Sequence, residues 1–193
     1  IEIALPKTLK HIEANAFNTN LHDLTVHSGT LAVGAFKSLN QLATVHLSDA
    51  ITHIPREAFY NCSALQSITL PETLDTIGNY AFQGAGLQSI TIPANVSHLG
   101  YGAFAGSSSE YYSSEYYSSE TSSSKSSYSV TYITGYGSAF CYGGSLREVT
   151  IPKDSKLKII PTRAFEGNES LTKLSILGDS ITSIRDVAFR HCA

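Results

Sequence analysis

The stretch from Leu65 to Ala85 reads LQSITLPETLDTIGNYAFQGA, and the stretch from Leu87 to Gly106 reads LQSITIPANVSHLGYGAFAG. Both follow one template, L-x-x-I-x-[IL]-P-x-x-[VL]-x-x-[IL]-x-x-x-A-F, with identical spacing. A single unit of this length cannot bury its apolar residues alone, but stacked neighbours can share a core. The repeat therefore predicts a solenoid in which each unit forms one coil.

The template recurs along the chain and is marked most clearly by phenylalanine. Every phenylalanine follows an alanine, and the successive spacings are 19, 23, 23, 22, 36, 25 and 24 residues. The eight are Phe17, Phe36, Phe59, Phe82, Phe104, Phe140, Phe165 and Phe189. We therefore expect one solenoid over residues 1–193, with about eight coils that are each filled by one ring. Because both ends fall inside a unit, we also expect the chain to be a fragment of a longer array.

Within a coil, the apolar positions predict two short strands followed by a turn. Ile68 and Leu70 are separated by the polar Thr69, which is the period of a strand with one buried face. The next residue, Pro71, has no amide hydrogen for a ladder and so marks the end of that strand. Strands of neighbouring coils are expected to form parallel sheets with about 4.8 Å between strands.

The template as it stands from Leu65 to Phe82 resembles the BspA-type (Treponema-type) leucine-rich repeat, which occurs in surface proteins of bacteria and some protists. The resemblance implies an α/β leucine-rich-repeat solenoid with a parallel β-sheet on its concave side and little regular helix. It also implies a non-catalytic protein, extracellular or on the cell surface, that adheres to host matrix or to another cell. The last unit departs from the pattern, since Gly178 and Ser180 stand where the proline turn is expected.

A low-complexity tract of Ser, Tyr and Glu interrupts the repeat and includes SSEYYSSEYYSSE at residues 108–120. The spacing from Phe104 to Phe140 is 36 residues, only about 13 more than the usual period. An insertion around 107–129 therefore accounts for the extra length of this spacing. Part of the tract is expected to serve as the sixth coil.

The composition of this expected sixth coil is unusual. The template offsets place Ser123 and Ser126 at positions that are apolar in other coils. Either the coil has a poor core, or Tyr128, Val130 and Tyr132 supply its strand.

The tyrosines of the tract are one candidate ligand-contacting surface, made of Tyr111, Tyr112, Tyr116 and Tyr117. Tyr and Ser predominate in adaptable binding loops, because tyrosine supplies contact area at a low cost in conformational entropy. In an extended segment neighbouring rings point to opposite sides, so one ring of each pair is available to a partner. The alternative is a solvated expansion of a five-residue repeat that has no role.

The side chains between the two inward residues of each first strand are a second candidate surface. Counted from the template, this outward column consists of Ala4, Thr25, His46, Thr69, Thr91, Thr150 and Ser175. Threonine favours strands through packing, which explains the column in a purely structural interpretation. In the functional interpretation, a glycan or protein ligand contacts His46, Thr69, Thr91 and Thr150.

The sequence carries no motif for catalysis, a cofactor or a metal. It has no phosphate-binding loop, nucleophile elbow or H-E-x-x-H motif. His11, His53 and His98 share one template position, but they belong to alternate coils about 10 Å apart, too far for one zinc ion. Cys62 and Cys192 share another position several coils apart and are expected to be free thiols. We therefore predict neither an enzyme nor a metal or cofactor site.

Charge and hydropathy restrict the partners further. The net charge of −3 does not favour nucleic acid, and no apolar run approaches the roughly 18 residues of a membrane-inserted helix. Two functions stay open. The first is a binding or adhesion module of a secreted or cell-surface protein that recognises a protein or glycan. The second is an intracellular or structural scaffold without a dedicated ligand.

Overall fold

The computed structural model describes residues 2–17, 20–27, 29–106 and 144–192. In this part of the chain each coil has two short strands joined by turns, and no residue is helical. The first strands are β1 (Glu2–Ala4), β3 (Asp23–Val26), β5 (Thr44–Leu47), β7 (Ser67–Thr69), β9 (Ser89–Thr91), β11 (Glu148–Ile151) and β13 (Lys173–Ile176). The second strands are β2 (His11–Ile12), β4 (Thr30–Leu31), β6 (His53–Ile54), β8 (Thr76–Ile77), β10 (His98–Leu99), β12 (Ile159–Ile160) and β14 (Ser183–Ile184). A helix able to cross a membrane is accordingly absent from the described ranges.

Every strand pairing is parallel and joins equivalent residues of neighbouring coils. The first strands β1, β3, β5 and β7 form one sheet, and β9, β11 and β13 continue beside β7. The second strands pair as β2 with β4, β8 with both β6 and β10, and β12 with β14. In the register, Val45 pairs with Ile68 and His46 pairs with Thr69. The predicted leucine-rich-repeat solenoid is confirmed, and its Ala-Phe segments form turns instead of helices.

A row of phenylalanine rings runs through the coils. The rings stack with centroid separations of 5.1 to 5.7 Å and interplanar angles of 1° to 25°. The row consists of Phe17, Phe36, Phe59, Phe82, Phe104, Phe165 and Phe189. Stacked rings contribute attraction beyond their buried area, so the row stabilises each coil against the next. The predicted position of Phe140 lies outside the described residues.

The coil that ends at Phe104 stacks directly on the coil that ends at Phe165. Strand β9 pairs with β11, with Thr91 beside Thr150, and the two phenylalanine centroids are 5.7 Å apart. Since no coil lies between them, the expectation that part of the tract serves as a sixth coil is wrong. The described residues form seven stacked coils instead of about eight. The tract itself, within residues 107–143, lies outside them.

The apolar residues of the two coils explain why they are neighbours. Ile90 and Ile92 on one side and Val149 and Ile151 on the other are all buried, so their contact removes apolar surface from water on both sides. A coil with serine at equivalent positions would bury hydroxyl groups that need hydrogen-bond partners. Direct stacking of the two complete coils is therefore favoured.

Gly106 and Gly144, the described residues on either side of the segment 107–143, both bind carbonyl groups of one coil. The amide of Gly106 donates to the carbonyl of Glu166 at 2.7 Å, and the amide of Gly144 donates to the next carbonyl, that of Gly167, at 3.2 Å. Glycine is required at 106, because a Cβ there would lie 2.5 Å from the Gly167 oxygen. The two ends of the segment 107–143 are thus anchored on consecutive residues of one coil.

Because its ends meet, the segment 107–143 should be removable. Joining Gly106 to Gly144 through one glycine is expected to lower the free energy of unfolding by less than about 1 kcal/mol, since each coil contacts only its neighbours and a shorter loop costs less entropy to close. Thermal melts followed by circular dichroism measure this. Deleting residues 65–101, which has the same length but removes strands and core, is the matched control and should abolish the transition. A comparable loss of the unfolding transition in both deletion variants would show that residues of 107–143 contribute to the core.

Candidate functional site

The outward side chains of β5, β7 and β9 form a polar surface that we call the hydroxyl face. It consists of Thr44, His46, Ser67, Thr69, Ser89 and Thr91. Within it Thr44 pairs with Ser67 and His46 with Thr69, while β9 lies beside β7. The alternation of the strands requires these side chains to point away from the core, because Val45, Leu70, Ile90 and Ile92 between and beside them are buried.

The central hydroxyl groups of this face are not used by the protein. Ser67, Thr69, Ser89 and Thr91 are exposed, and their hydroxyls form no hydrogen bond with any described residue. Hydroxyls elsewhere on the solenoid are engaged: Thr30 contacts His11 at 2.6 Å, and Ser97 donates to Asp75 at 2.7 Å. A hydroxyl both donates and accepts hydrogen bonds. The hydroxyl face therefore offers a regular array of groups that a ligand can bind.

Charge is confined to the ends of the first sheet. Asp23 lies on β3, and Lys173 on β13 pairs with Glu148 on β11, with 2.5 Å between Nζ and Oε1. Between them the hydroxyl face carries no carboxylate and no lysine or arginine. The electrostatics of the face suit a neutral, polar ligand.

The structure brings the four candidate residues of the outward column onto one sheet surface. His46 pairs with Thr69, and Thr91 pairs with Thr150. His46, Thr69 and Thr91 are exposed, whereas Thr150 is half-buried. Their contact with a ligand remains a prediction. The other candidate surface, formed by Tyr111, Tyr112, Tyr116 and Tyr117, lies outside the described residues.

The histidines that share one template position lie on the second strands. His53 pairs with Thr76, which in turn pairs with His98. No set of three potential metal ligands gathers within the described ranges. The intervening threonines were not singled out from the sequence, although they occupy the same position relative to the next phenylalanine.

The cysteine position has a hydrogen-bonding role that the sequence interpretation missed. The Cys62 thiol donates to the carbonyl of Phe36 at 3.1 Å, and the Cys192 thiol donates to the carbonyl of Phe165 at 3.3 Å. Each therefore binds the phenylalanine carbonyl of the preceding coil. Burial raises the pKa of Cys62 to about 12, which keeps it protonated and unreactive. Both thiols are free, as predicted, and Cys141 lies outside the described residues.

Two carboxylates, the half-buried Glu57 and the buried Glu166, lie on the side of the solenoid formed by the Ala-Phe turns, and both are paired. Glu57 contacts Lys37 at 2.6 Å and Arg56 at 2.9 Å. Burial raises the pKa of Glu57, but the hydrogen bonds and charges of these two cations outweigh it and leave the pKa below its ordinary value. Glu166 lies between Arg163 and Arg190 in the same manner. Each carboxylate is neutralised within its own cluster, and the two clusters belong to different coils.

The fold and this surface together define a class of protein, a parallel-stranded solenoid of leucine-rich coils with a polar outer sheet. The family of the BspA type leucine rich repeat region matches the chain in six copies, over residues 1–111 and 109–193. The chain belongs to the BspA-type leucine-rich-repeat family. No curated protein matches its sequence.

Two solved structures share the fold. The T. pallidum leucine rich repeat protein TpLRR superposes with a TM-score of 0.69 at 22% identity, covering 95% of this chain and 72% of that one. A leucine-rich repeat protein from Bacteroides ovatus gives a TM-score of 0.62 at 21% identity, covering 100% of this chain and 50% of that one. The chain thus spans about half the length of the second protein. Its architecture is that of a repeat scaffold for binding.

Proposed function

We propose that this chain is a non-catalytic binding or adhesion module of a secreted or cell-surface protein, and that its ligand is a protein or glycan. The observation that carries the proposal is the row of exposed, unused hydroxyls at Ser67, Thr69, Ser89 and Thr91. The location and the adhesive role are those that the family resemblance implies, with host matrix or another cell surface as the partner.

The geometry of the hydroxyl face supports recognition by hydrogen bonding. Its groups are held on parallel strands about 4.8 Å apart above a core in which Leu65, Leu74 and Ile77 are fully buried. Rigid presentation lowers the entropy cost of binding. Sugar hydroxyls and peptide groups both donate and accept hydrogen bonds, so either would complement this surface.

Removing two hydroxyls from the centre of the face is expected to weaken binding. After a ligand has been identified on a glycan and matrix-protein array, a Thr69→Ala/Thr91→Ala variant should bind about five- to 150-fold more weakly, since each lost hydrogen bond is worth about 0.5 to 1.5 kcal/mol. A Thr52→Ala/Thr172→Ala variant removes two exposed threonines outside the face and should bind like the parent. Thermal melts verify that both variants are folded.

Three results would contradict the proposal or relocate the site. An equal loss of ligand affinity in the two variants would show that the ligand does not bind at the hydroxyl face. Loss only when residues 110–117 are replaced by a Gly/Ser loop would assign the site to the tyrosines of the tract. Failure of the parent to bind any arrayed ligand would favour a structural scaffold without a dedicated ligand.

A further inference from the structure

A second exposed column runs along the second strands, and we call it the His/Thr column. It consists of His11, Thr30, His53, Thr76 and His98, one residue from each of five successive coils. Register pairs are His11 with Thr30, His53 with Thr76, and Thr76 with His98, and β4 lies beside β6. All are exposed except Thr76, which is half-buried. The column ends at the next coil, where Ile159 takes the position.

Histidine and threonine alternate along the column, and this alternation sets a regular spacing between the histidines. With strands about 4.8 Å apart, successive histidines are separated by about 10 Å. Imidazole is the side chain whose change of charge belongs to the physiological range of pH. A protonated column would present evenly spaced positive charges, with hydroxyl groups between them.

The charged groups around the column do not cancel this change. Glu13 lies 3.3 Å from the Nε2 atom of His11, and Lys10 precedes that histidine in the chain. Asp75 interacts electrostatically with His53 and Lys156 and is already bound by two hydroxyls. Lys158 precedes Ile159 on the coil beside β10. The two carboxylates, Glu13 and Asp75, thus have Lys10, Lys156 and Lys158 in their neighbourhood, and protonated imidazoles would add positive charge to this surface.

The shape and composition of the column favour a linear partner. None of its five residues is a large apolar side chain of the kind that anchors protein interfaces, and the five lie in one row on successive strands. A polymer with regularly recurring acidic groups can follow such a row. We propose that the His/Thr column binds a linear anionic polysaccharide at mildly acidic pH, independently of the hydroxyl face on the other sheet.

Binding to immobilised heparin and hyaluronan at about pH 5.5 and about pH 7.5, at constant ionic strength, tests this. The parent should bind at least one of the two polymers about tenfold more tightly at the lower pH. Binding to heparin alone would identify sulfate as the recognised group, whereas binding to both polymers would identify carboxylate. A His53→Gln/His98→Gln variant should lose most of the pH dependence, since only His11 of the column remains. The matched control, His22→Gln/His191→Gln, removes as many exposed imidazoles from outside both surfaces and should retain it.

A gain-of-charge variant gives a reciprocal test. His53→Lys/His98→Lys carries the charges at both pH values, so its binding should be tight and independent of pH over this range. Equal effects in the two glutamine variants would mean that net charge alone is sensed, which would overturn the proposal. Binding of poly-glutamate as tightly as either polysaccharide would overturn the assigned class of ligand. Binding that is the same at both pH values in the parent would exclude the histidines.

Discussion

Replacing Phe82 by alanine is expected to lower the free energy of unfolding by about 3 to 5 kcal/mol, the usual cost of removing a buried aromatic ring. Phe82 is 2% exposed and stacks between Phe59, at 5.2 Å, and Phe104, at 5.1 Å. The cavity would interrupt the row of rings in its middle, where neither neighbouring coil can collapse to fill it. Urea denaturation of the parent and the variant measures the change.

A surface substitution in the same coil provides the control for the ring deletion. Thr69 is exposed and makes no hydrogen bond with the described residues, so Thr69→Ala should cost less than about 1 kcal/mol, the full range of strand propensity. The expected order of urea midpoints is parent, Thr69→Ala and then, far below, Phe82→Ala. Equal midpoints for the two variants would contradict the assignment of inward and outward faces.

The second large effect is expected at Asn168, which holds together the two coils on either side of the segment 107–143. Its side chain is 2% exposed. It donates to the carbonyls of Phe104, at 2.8 Å, and Phe165, at 2.9 Å, and accepts the amide of Leu146 at 3.3 Å. Asn168→Ala leaves buried backbone groups without these partners, and each such loss costs about 1 to 3 kcal/mol. The Phe165 carbonyl keeps the Cys192 thiol as a donor, so the two remaining losses give an expected total of about 2 to 6 kcal/mol in urea denaturation.

Asn95 supplies a matched control for Asn168. It is exposed and donates one hydrogen bond, to the carbonyl of Glu72 at 2.7 Å. Water can replace the lost amide there, so Asn95→Ala should cost less than about 1 kcal/mol. If the two asparagine variants were equally stable, the junction would not depend on the Asn168 side chain, and the direct stacking of the coils at Phe104 and Phe165 would need another explanation.

Much of the repeat geometry followed from local sequence. The template fixes each position relative to its phenylalanine, so the sequence predicted that His46 lies beside Thr69, and this pair is present in the register of the sheet. Thr91 and Thr150 were expected to be separated by the sixth coil, but they are direct partners. Alternation with period two decides which side chains face the core, and that rule needs no knowledge of distant residues.

The number of coils was not predictable in the same way. Counting eight Ala-Phe pairs assumes that each pair lies in the stack, and the pair at Phe140 satisfies the count as well as any other. The stacked row instead passes from Phe104 to Phe165. Which coils become neighbours depends on how much apolar surface two complete coils bury together, a property of the pair and not of either sequence alone.

For the hydroxyl face and the His/Thr column, the sequence determined some properties and the tertiary structure determined others. The sequence by itself determined the repeat, the inward and outward positions, and the recurrence of threonine and histidine at fixed positions, because these follow from backbone alternation within one coil. Only the tertiary structure decided that the hydroxyls of Ser67 and Thr69 make no hydrogen bond with the described residues, while that of Ser97 donates to Asp75 of the preceding coil. It alone also decided that Asn168 bonds to Phe104, which lies 64 residues away in the sequence. Hydrogen-bond partners and coil neighbours depend on contacts between distant residues, which form only when the coils stack.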